Sequence, residues 1–254
     1  MNLSDQVVVV TGGATGIGFA TAKVLAERGA RVVIAQRDAA RGQDAVQRLK
    51  PLDVMSLELD IRDPRAVEHC MASVVERFGA IDVLVNNASV TGGTALAPFV
   101  GSSLELIDRV VDTNLKGTIY CSQAAARQMI DRKRAGSIIH VSSVGAYAAQ
   151  ENASLYCATK AAQVMLTRGM AIELAPHGIR VNCVAPGDIQ TETSANAVAE
   201  ISRSGAGGQY LRFTPLGRRG SPEEVGRAIA FLASDDASFV TGTTLLVDGG
   251  FLAY

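Results

Sequence analysis

The sequence predicts an α/β fold in which one doubly wound, seven-stranded parallel sheet carries helices on both faces. Short β-branched or apolar runs alternate with longer segments of helical periodicity, which is the pattern of repeated β–α–β units. The first run, Val7–Val10, is apolar at every position, as expected of a strand buried on both faces. The sequence has no internal repeat, low-complexity tract or linker-like break, so we expect residues 1–254 to form a single domain.

The composition argues against several classes of protein. The chain has 254 residues, 48% of them apolar, and its formal net charge of −1 does not suggest binding to nucleic acid or to an anionic membrane. The first residues form no signal peptide, and no run approaches the ~18–20 apolar residues of a membrane span. We therefore expect a cytoplasmic protein with neither a nucleic-acid partner nor a membrane partner.

The cysteines and histidines do not form a metal-binding pattern. The cysteines are Cys70, Cys121, Cys157 and Cys183, and they contain no Cys-x-x-Cys pair, which indicates free thiols in a reducing compartment. The three histidines are not at metal-ligand spacing, so we expect no metal site. His140 lies in a strand-like run and is interpreted as packed or hydrogen-bonded.

A glycine-rich turn follows the first strand and leads into a predicted helix at Phe19–Arg28, which Gly29 closes. The candidate cofactor-binding residues of the turn are Thr11, Gly12, Thr15, Gly16, Ile17 and Gly18. Glycines let a ligand approach the backbone closely, and a helix N-terminus offers free N–H groups to a phosphate. Such a turn could also be a mere tight connection, but a strand before it and a helix after it favour a phosphate site.

The second predicted strand, Arg31–Ala35, ends where the ribose of an adenine dinucleotide would be recognised. An acidic residue there binds a free 2′-hydroxyl, whereas an arginine accommodates a 2′-phosphate. Gln36 and Arg37 follow the strand, which favours NADP(H) while NAD(H) stays possible. Against NADP(H), the glycine turn supplies no second cation. Alternatively, Arg37 is a solvated surface residue; Asp38 is interpreted as the N-cap of the next helix.

The following segments continue the alternation of helix and strand. Ala39–Lys50 is a predicted helix that Pro51 stops, and Pro64–Phe78 is a predicted helix with proline in its first turn. Leu104–Met129 reads as two helical pieces that meet near Asn114, because asparagine is disfavoured within a helix and needs a role or a bend there. The remaining predicted strands are Val54–Leu59, Ile81–Val85, Ser137–Val141, Ile179–Val184 and Thr244–Val247.

The last third of the chain contains a long helix, a polar segment and a short helix. Ser154–Ala175 has apolar residues at helical spacing and contains no proline. The stretch from Thr191 to Phe213 is polar and carries three glycines, so we interpret about residues 190–215 as a mobile lid over a substrate. Pro222–Ala233 is a predicted helix capped by Ser221.

Tyr156 and Lys160 are four residues apart on the predicted long helix, so they share one of its faces. A nearby ammonium favours the phenolate, and we therefore predict that Lys160 lowers the pKa of Tyr156 from its usual ~10. Such a phenol could donate and accept protons near neutral pH. The alternative is that the two residues share a helix face by chance.

Taken together, the motifs resemble the compact, single-domain branch of the short-chain dehydrogenase/reductase family, with a Rossmann-like fold and a dinucleotide-binding catalytic domain. They are Thr11-Gly12-x3-Gly16-x-Gly18, Asn86-Asn87-Ala88, Asn114, Ser143, Tyr156-x3-Lys160, Pro186-Gly187-x-Ile189-x-Thr191, and Thr241-Gly242 with Val247-Asp248-Gly249-Gly250. Each motif alone is weak, but their order and spacing across nearly the whole chain are specific. The sequence departs from the family at Ser89, where a glycine is frequent.

The resemblance implies a role for each matched residue. Tyr156 would be the general acid in reduction and the base in oxidation, Ser143 would hold the substrate oxygen, and Lys160 would also bind the nicotinamide ribose. Asn114 would position a water that links Lys160 to solvent. Tyr156 is also an implied cofactor contact. The remaining ones are Asp60 and Ile61 at adenine, Asn87 and Ala88 along the groove, and Pro186, Gly187, Ile189 and Thr191 at nicotinamide.

The resemblance implies hydride transfer between NADP(H) and a carbonyl or secondary alcohol, and a homotetramer or homodimer. The sequence leaves the substrate open among acyl thioesters, sugars, steroids and small ketones. It also leaves open an NAD-dependent alcohol or sugar dehydrogenase of the same family, or a nucleotide-binding regulatory protein without catalysis. A methyltransferase-like domain would share the glycine turn but would not explain Tyr156 and Lys160.

Overall fold

The computed structural model describes residues 3–192, 194 and 214–253. Its centre is a seven-stranded sheet of order β3-β2-β1-β4-β5-β6-β7, in which every neighbouring pair is parallel. The strands are β1 (Val7–Thr11), β2 (Arg31–Gln36), β3 (Val54–Glu58), β4 (Val83–Asn86), β5 (Gly136–Val141), β6 (Ile179–Pro186) and β7 (Thr244–Val247). The predicted doubly wound parallel sheet is confirmed.

Helices cover both faces of this sheet. In the described part of the chain they are α1 (Gly16–Glu27), α2 (Ala39–Arg48), α3 (Pro64–Phe78), α4 (Leu104–Val111), α5 (Thr118–Asp131), α6 (Ser154–Leu174) and α7 (Pro222–Ala233). None of these helices is long and apolar enough to cross a membrane, within the residues that the structure describes.

Several predicted boundaries were wrong by two or three residues, among them the starts of α1 and β4. α1 begins at Gly16 rather than Phe19, since the Phe19 N–H already donates to the Thr15 carbonyl at 3.1 Å. β4 begins at Val83 rather than Ile81. The preceding Asp82 uses its carboxylate as well as its backbone, accepting a hydrogen bond from the Val7 N–H at 2.9 Å.

The core forms two layers because the side chains of each strand alternate between the faces of the sheet. Val8 and Val10 pack in the layer that includes residues of α1, α2 and α7, such as Leu25 and Ile229. Val7 and Val9 pack in the layer that includes residues of α3, α5 and α6, such as Met71, Cys121 and Ala171. The β-branched run is therefore buried on both faces, as predicted.

The order of the strands fixes where a ligand can enter. β1 lies between β2 and β4. From β1 the chain proceeds through β2 and β3 to one edge of the sheet, and from β4 onwards it proceeds to the other edge. Ligands of open α/β sheets bind outside the carboxyl ends of the strands at such a switch point. Thr11 ends β1 and Asn86 ends β4, so the glycine turn and the segment after β4 meet there.

Candidate active site

Close packing requires two glycines of the turn after β1. Gly12 has a φ of +64°, and a Cβ there would lie 2.9 Å from the Ala88 Cα. A Cβ on Gly18 would collide with the Gly12 carbonyl and lie 2.5 Å from the Asn87 Nδ2. A side chain at either position would therefore push the start of α1 away from the segment after β4.

The start of α1 forms a cradle for an anion. α1 begins at Gly16, and the Thr15 side chain makes no cap hydrogen bond in the described structure. The N–H groups of Gly16, Ile17 and Gly18 lie in the first helical turn and so have no acceptor within the helix. A Cβ on Gly16 would extend into the gap towards Thr191, whose methyl carbon would be 3.4 Å away. These residues fit the pyrophosphate of a dinucleotide.

Asn87 and Thr11 tie the turn to the end of β4. The Asn87 Nδ2 donates to the carbonyls of Thr11 and Gly12, both at 3.0 Å. The backbone N–H groups of Asn87 and Ala88 both donate to the Thr11 hydroxyl at 3.1 Å. The side chains of Thr11 and Asn87 thus hold the shape of the cradle, and Ala88 lies directly against it.

A second arginine, Arg41, lies beside the glycine turn. Gln36 ends β2 and is partly buried, whereas the next residue, Arg37, is exposed. Asp38 caps α2, as predicted, by accepting from the Arg41 N–H at 3.1 Å. The Arg41 side chain lines a depression together with Thr15 of the glycine turn. Sequence reasoning missed Arg41, although its place in the first turn of α2 could have indicated it.

Asp60 and Ile61, for which the family resemblance implies contact with adenine, lie just after β3. The Arg62 Nε donates to both carboxylate oxygens of Asp60, at 3.0 and 3.1 Å. This hydrogen bonding holds the pKa of the Asp60 carboxyl below its usual value. Ile61 is buried against Gly117, where a Cβ would lie 2.6 Å from the Ile61 Cδ1. The Ile61 side chain is therefore occupied in packing, and its backbone is the part left for a ligand.

Pro186 and Gly187 lie at the carboxyl end of β6. The Gly187 N–H donates to the Val247 carbonyl at 3.0 Å. A Cβ on Gly187 would lie 2.8 Å from the Asp248 Cα, so glycine is needed where the segment after β6 passes the segment after β7. This contact joins two of the motifs that the sequence singled out.

Ile189 and Thr191 continue from this segment towards the predicted lid. Ile189 is buried and forms an isolated bridge with Gly220. The Thr191 N–H donates to the Ser194 hydroxyl at 2.8 Å. Most of the predicted lid, residues 193 and 195–213, lies outside the described residues, so the lid stays a prediction.

Tyr156, Ser143 and Thr91 form a cluster of hydroxyl groups at the carboxyl ends of β4 and β5. Ser143 follows β5, and its Oγ accepts from the Gly145 N–H at 3.0 Å. Tyr156 lies in the first turn of α6, and its phenol hydrogen-bonds with Ser143 and Thr91. Sequence reasoning predicted Ser143 and Tyr156 but missed Thr91, because no local pattern shows that the loop after β4 returns to α6.

The prediction that Lys160 lowers the pKa of Tyr156 was wrong. Burial raises the pKa of the Tyr156 phenol above its ordinary value, and the hydrogen bonds with Ser143 and Thr91 oppose this effect without cancelling it. The Lys160 Nζ lies 5.6 Å from the centroid of the Tyr156 ring, so the two groups are on the same side of the helix. The Nζ donates to the Val141 carbonyl at 2.8 Å, and Lys160 is not among the groups that shift the pKa of Tyr156.

Lys160 is a buried ammonium, with 2% of the residue exposed. Burial lowers its pKa to about 8, because the charged form is poorly solvated there. The neighbouring Ser142 faces away from the cluster of hydroxyl groups and donates to the Lys160 carbonyl at 2.8 Å, which fixes the backbone of α6 against β5. Lys160 is thus a lysine that can gain and lose a proton close to neutral pH.

Asn114 lies at the predicted junction of two helices, in a π-helical segment, Asp112–Gly117, between α4 and α5. Its Oδ1 accepts from the Val90 N–H at 2.7 Å, and its Nδ2 donates to the Val90 carbonyl at 3.0 Å. The amide therefore holds the loop after β4 in place. The Nδ2 also donates to the Thr159 hydroxyl at 3.3 Å, which links this loop to α6.

His140 is buried and hydrogen-bonded, as predicted. Its ring nitrogens contact the Ser122 hydroxyl at 3.3 Å and the Thr167 hydroxyl at 2.9 Å. Burial lowers the pKa of His140 to about 4, so the imidazole is neutral at neutral pH. No group of three or more His, Cys, Asp or Glu residues within the described ranges could hold a metal ion.

Comparison with known proteins gives a consistent result over the full length of the chain. The family model described as "Enoyl-(Acyl carrier protein) reductase" matches residues 12–252. A cis-4-hydroxycyclohexanecarboxylate dehydrogenase from Sinomonas cyclohexanicum is 43% identical, over 98% of this chain and 98% of its own length. An L-rhamnose 1-dehydrogenase (NAD(P)(+)) from a Sphingomonas species is 39% identical, over 98% of this chain and 96% of its own.

The solved structures agree with the sequence relatives. A short-chain type dehydrogenase/reductase from Mycobacterium marinum superimposes with a TM-score of 0.90 at 34% identity, covering 100% of this chain and 98% of that one. Levodione reductase gives a TM-score of 0.90 at 33% identity, covering 99% of each chain. The chain therefore belongs to the short-chain dehydrogenase/reductase family, whose members are NAD(P)-dependent oxidoreductases of CH–OH and C=O groups.

Proposed function

We propose that the protein reduces a carbonyl compound, or oxidises the matching secondary alcohol, with NADP(H) as the favoured cofactor. The observation that carries this proposal is the meeting of Tyr156, Ser143 and Lys160 at the carboxyl end of β5. This is the position at which ligands of such sheets bind.

In the proposed mechanism, Tyr156 exchanges a proton with the substrate oxygen. When bound, the nicotinamide ring supplies the hydride in reduction and accepts it in oxidation. Because burial raises the pKa of Tyr156, its phenol is protonated at neutral pH and can donate to the oxygen of a carbonyl that is being reduced. Ser143 and Thr91, which hydrogen-bond with the same phenol, are placed to hold that oxygen.

We propose that Lys160 returns a proton to Tyr156 after each reduction. Its Nζ lies beside the phenol ring, and its pKa of about 8 lets it release and regain a proton near neutral pH. The implied contact of Lys160 with the nicotinamide ribose agrees with its place at the carboxyl end of β5, where its Nζ is bound to the Val141 carbonyl.

We expect opposite pH dependence in the two directions of the reaction. Lys160 loses its proton as the pH rises through about 8, so kcat for reduction should fall by about tenfold per pH unit above that value. Oxidation requires Lys160 to accept a proton, so its kcat should rise towards the same pH and then level off. Initial rates of both directions across this range test the expectation, and parallel profiles in the two directions would contradict it.

We propose that Arg37 and Arg41 favour NADP(H) by binding its 2′-phosphate. Arg37 is exposed at the end of β2, and Arg41 lines the depression beside Thr15, so Arg41 supplies the second cation that the turn itself lacks. One of the relatives is named for use of NAD(P)(+), which leaves both cofactors open for this chain.

The preference for NADPH is tested by removing the charge of Arg37. Arg37→Gln should lower kcat/KM for NADPH by about 10- to 100-fold and leave the value for NADH within about twofold, since only NADPH carries the 2′-phosphate. Arg127→Gln, which removes an exposed arginine paired with Glu68, is the matched control. A wild-type preference for NADH would show that the interpretation of Arg37 is wrong.

The names of the relatives suggest which substrates to test first. One is named for a hydroxycyclohexanecarboxylate and another for L-rhamnose, both of which are cyclic compounds that carry hydroxyl groups. We propose cyclic secondary alcohols, their ketones and aldoses as the first panel.

The homotetramer or homodimer and the cytoplasmic location remain proposals. Met165 and Ile172 are exposed apolar residues seven positions apart on α6, so they lie on the same side of that helix, and Phe239 is exposed before β7. These side chains support association with further copies of the chain.

A further inference from the structure

A buried glutamine lies beside the proposed catalytic lysine. Gln163 is 1% exposed and lies three residues after Lys160 on α6. Its Oε1 accepts a hydrogen bond from the Lys160 Nζ at 3.3 Å. Its Nε2 donates to the Asn114 carbonyl at 2.7 Å and to the Thr118 hydroxyl at 3.1 Å.

The chemistry of these partners fixes the orientation of the Gln163 amide. An ammonium can only donate, so the amide oxygen must face Lys160. The Asn114 carbonyl can only accept, so the amide nitrogen must face the π-helical segment. Both halves of the buried amide are therefore satisfied in one orientation, and a reversed amide would lose both interactions.

The π-helical segment places the Asn114 carbonyl where Gln163 can reach it. The Thr118 N–H donates to the Leu115 carbonyl, and the Asn114 carbonyl accepts from two side chains, the Thr118 hydroxyl at 2.9 Å and the Gln163 amide. The irregular helix and Gln163 thus form a continuous connection from Asn114 to Lys160.

We propose that Gln163 is a positioning residue, which holds the Lys160 ammonium between the Val141 carbonyl and its own amide oxygen and so keeps the ammonium beside Tyr156. This inference rests on the proposed function, in which Lys160 returns a proton to Tyr156. An ammonium has three N–H donors, and among the described residues Val141 and Gln163 supply its two acceptors. Without Gln163 the ammonium keeps one of them and gains freedom to turn away from the phenol.

The pH dependence of kcat can report on Lys160 only if the neighbouring groups keep their charge near pH 8. His140 on β5 is neutral at neutral pH, because burial lowers its pKa to about 4. Cys183 on β6 is a neutral thiol, because burial raises its pKa to about 11. Burial raises the pKa of Tyr156 on α6, and Asp112 and Lys116 of the π-helical segment pair with each other at 2.8 Å. Of these groups, Lys160 is the one that changes charge near pH 8.

Two substitutions of Gln163 test whether its side-chain oxygen acts on Lys160. Gln163→Leu removes both halves, and we expect kcat for reduction to fall about tenfold with KM for substrate changed by less than about threefold. The fall of kcat at alkaline pH should move to lower pH, because the ammonium loses an acceptor. Gln163→Glu keeps an acceptor and makes it anionic, so the same fall should move to higher pH, with kcat nearer to wild type than in Gln163→Leu.

Thr167→Val is the matched control. Thr167 is fully buried on the same helix, one turn further along, and its hydroxyl contacts His140 and donates to the Gln163 carbonyl rather than to its side chain. We expect a comparable loss of Tm but no movement of the pH profile. A pH profile and kcat of Gln163→Leu that match those of Thr167→Val would overturn the proposal.

Two further results complete the test. If Gln163→Leu does not fold, Gln163→Glu alone tests the proposal. A pH profile of Gln163→Glu that equals the wild-type profile also overturns it. Tyr156→Phe is measured in parallel: an inactive Tyr156→Phe variant with unchanged Gln163 variants refutes the positioning role alone. A fully active Tyr156→Phe variant refutes the proposed function itself.

Discussion

Replacing Tyr156 by phenylalanine is expected to lower kcat by about 10³-fold, within the range that a positioned proton donor contributes. The substitution removes the phenolic oxygen that hydrogen-bonds with Ser143 and Thr91 and leaves the ring in place. The cofactor groove is formed largely by other residues, so Kd for NADPH should change by less than about threefold. Steady-state kinetics and a fluorescence titration of NADPH measure the two quantities.

The matched control for this prediction is Tyr147→Phe. Tyr147 is an exposed tyrosine, 48% accessible, in the segment between Ser143 and Tyr156. We expect Tyr147→Phe to keep the wild-type kcat. A Tyr156→Phe variant with a kcat within a few-fold of wild type would mean that another group donates the proton.

Replacing Lys160 by methionine is the second substitution for which we expect a large effect. Methionine fills a similar volume without a charge, so proton return to Tyr156 and the implied contact with the nicotinamide ribose are both lost. We expect kcat to fall by about 10²- to 10³-fold and KM for the cofactor to rise. Lys116→Met, which removes a surface lysine paired with Asp112, is the control and should keep wild-type kinetics.

Stability provides an independent check on the buried charge of Lys160. Its pKa is about 8 in the folded protein, against an ordinary value of 10.5, so the unfolded chain binds more protons between these two values. The free energy of unfolding of the wild type should therefore rise with pH across this window, relative to that of Lys160→Met. Equal pH dependence of the two proteins would show that the Lys160 pKa is not lowered.

The sheet could be predicted from the sequence because its signals are local. Val7–Val10 is apolar throughout, and the glycine turn after it is followed at once by helical periodicity. The junction at Asn114 could also be predicted, since asparagine disfavours a helix interior. That the junction is a π-helical segment could not be predicted, because that depends on its contacts with Val90 and α6.

The electrostatics of the site could not be predicted from spacing. The separation of Tyr156 and Lys160 shows that they share a helix face, but it does not show how deeply either group is buried. Burial is the largest cause of both pKa shifts: it raises the pKa of the phenol and lowers that of the ammonium. Thr91 and Gln163 reach the site through tertiary packing, so no motif in the sequence indicates them.

The role of Tyr156 is tested most directly by a single turnover. Enzyme saturated with NADPH is mixed rapidly with a reducible ketone from the panel, and the absorbance of the reduced nicotinamide is followed in wild type and in Tyr156→Phe. NADPH is already bound before the ketone is added, and the first turnover does not require product release. With saturating ketone, the decay of NADPH absorbance therefore reports the chemical step. We predict that the NADPH absorbance of the wild type is lost in a single turnover. Over the same time the bound NADPH of Tyr156→Phe should stay reduced. Equal decay in both proteins would contradict the role of Tyr156.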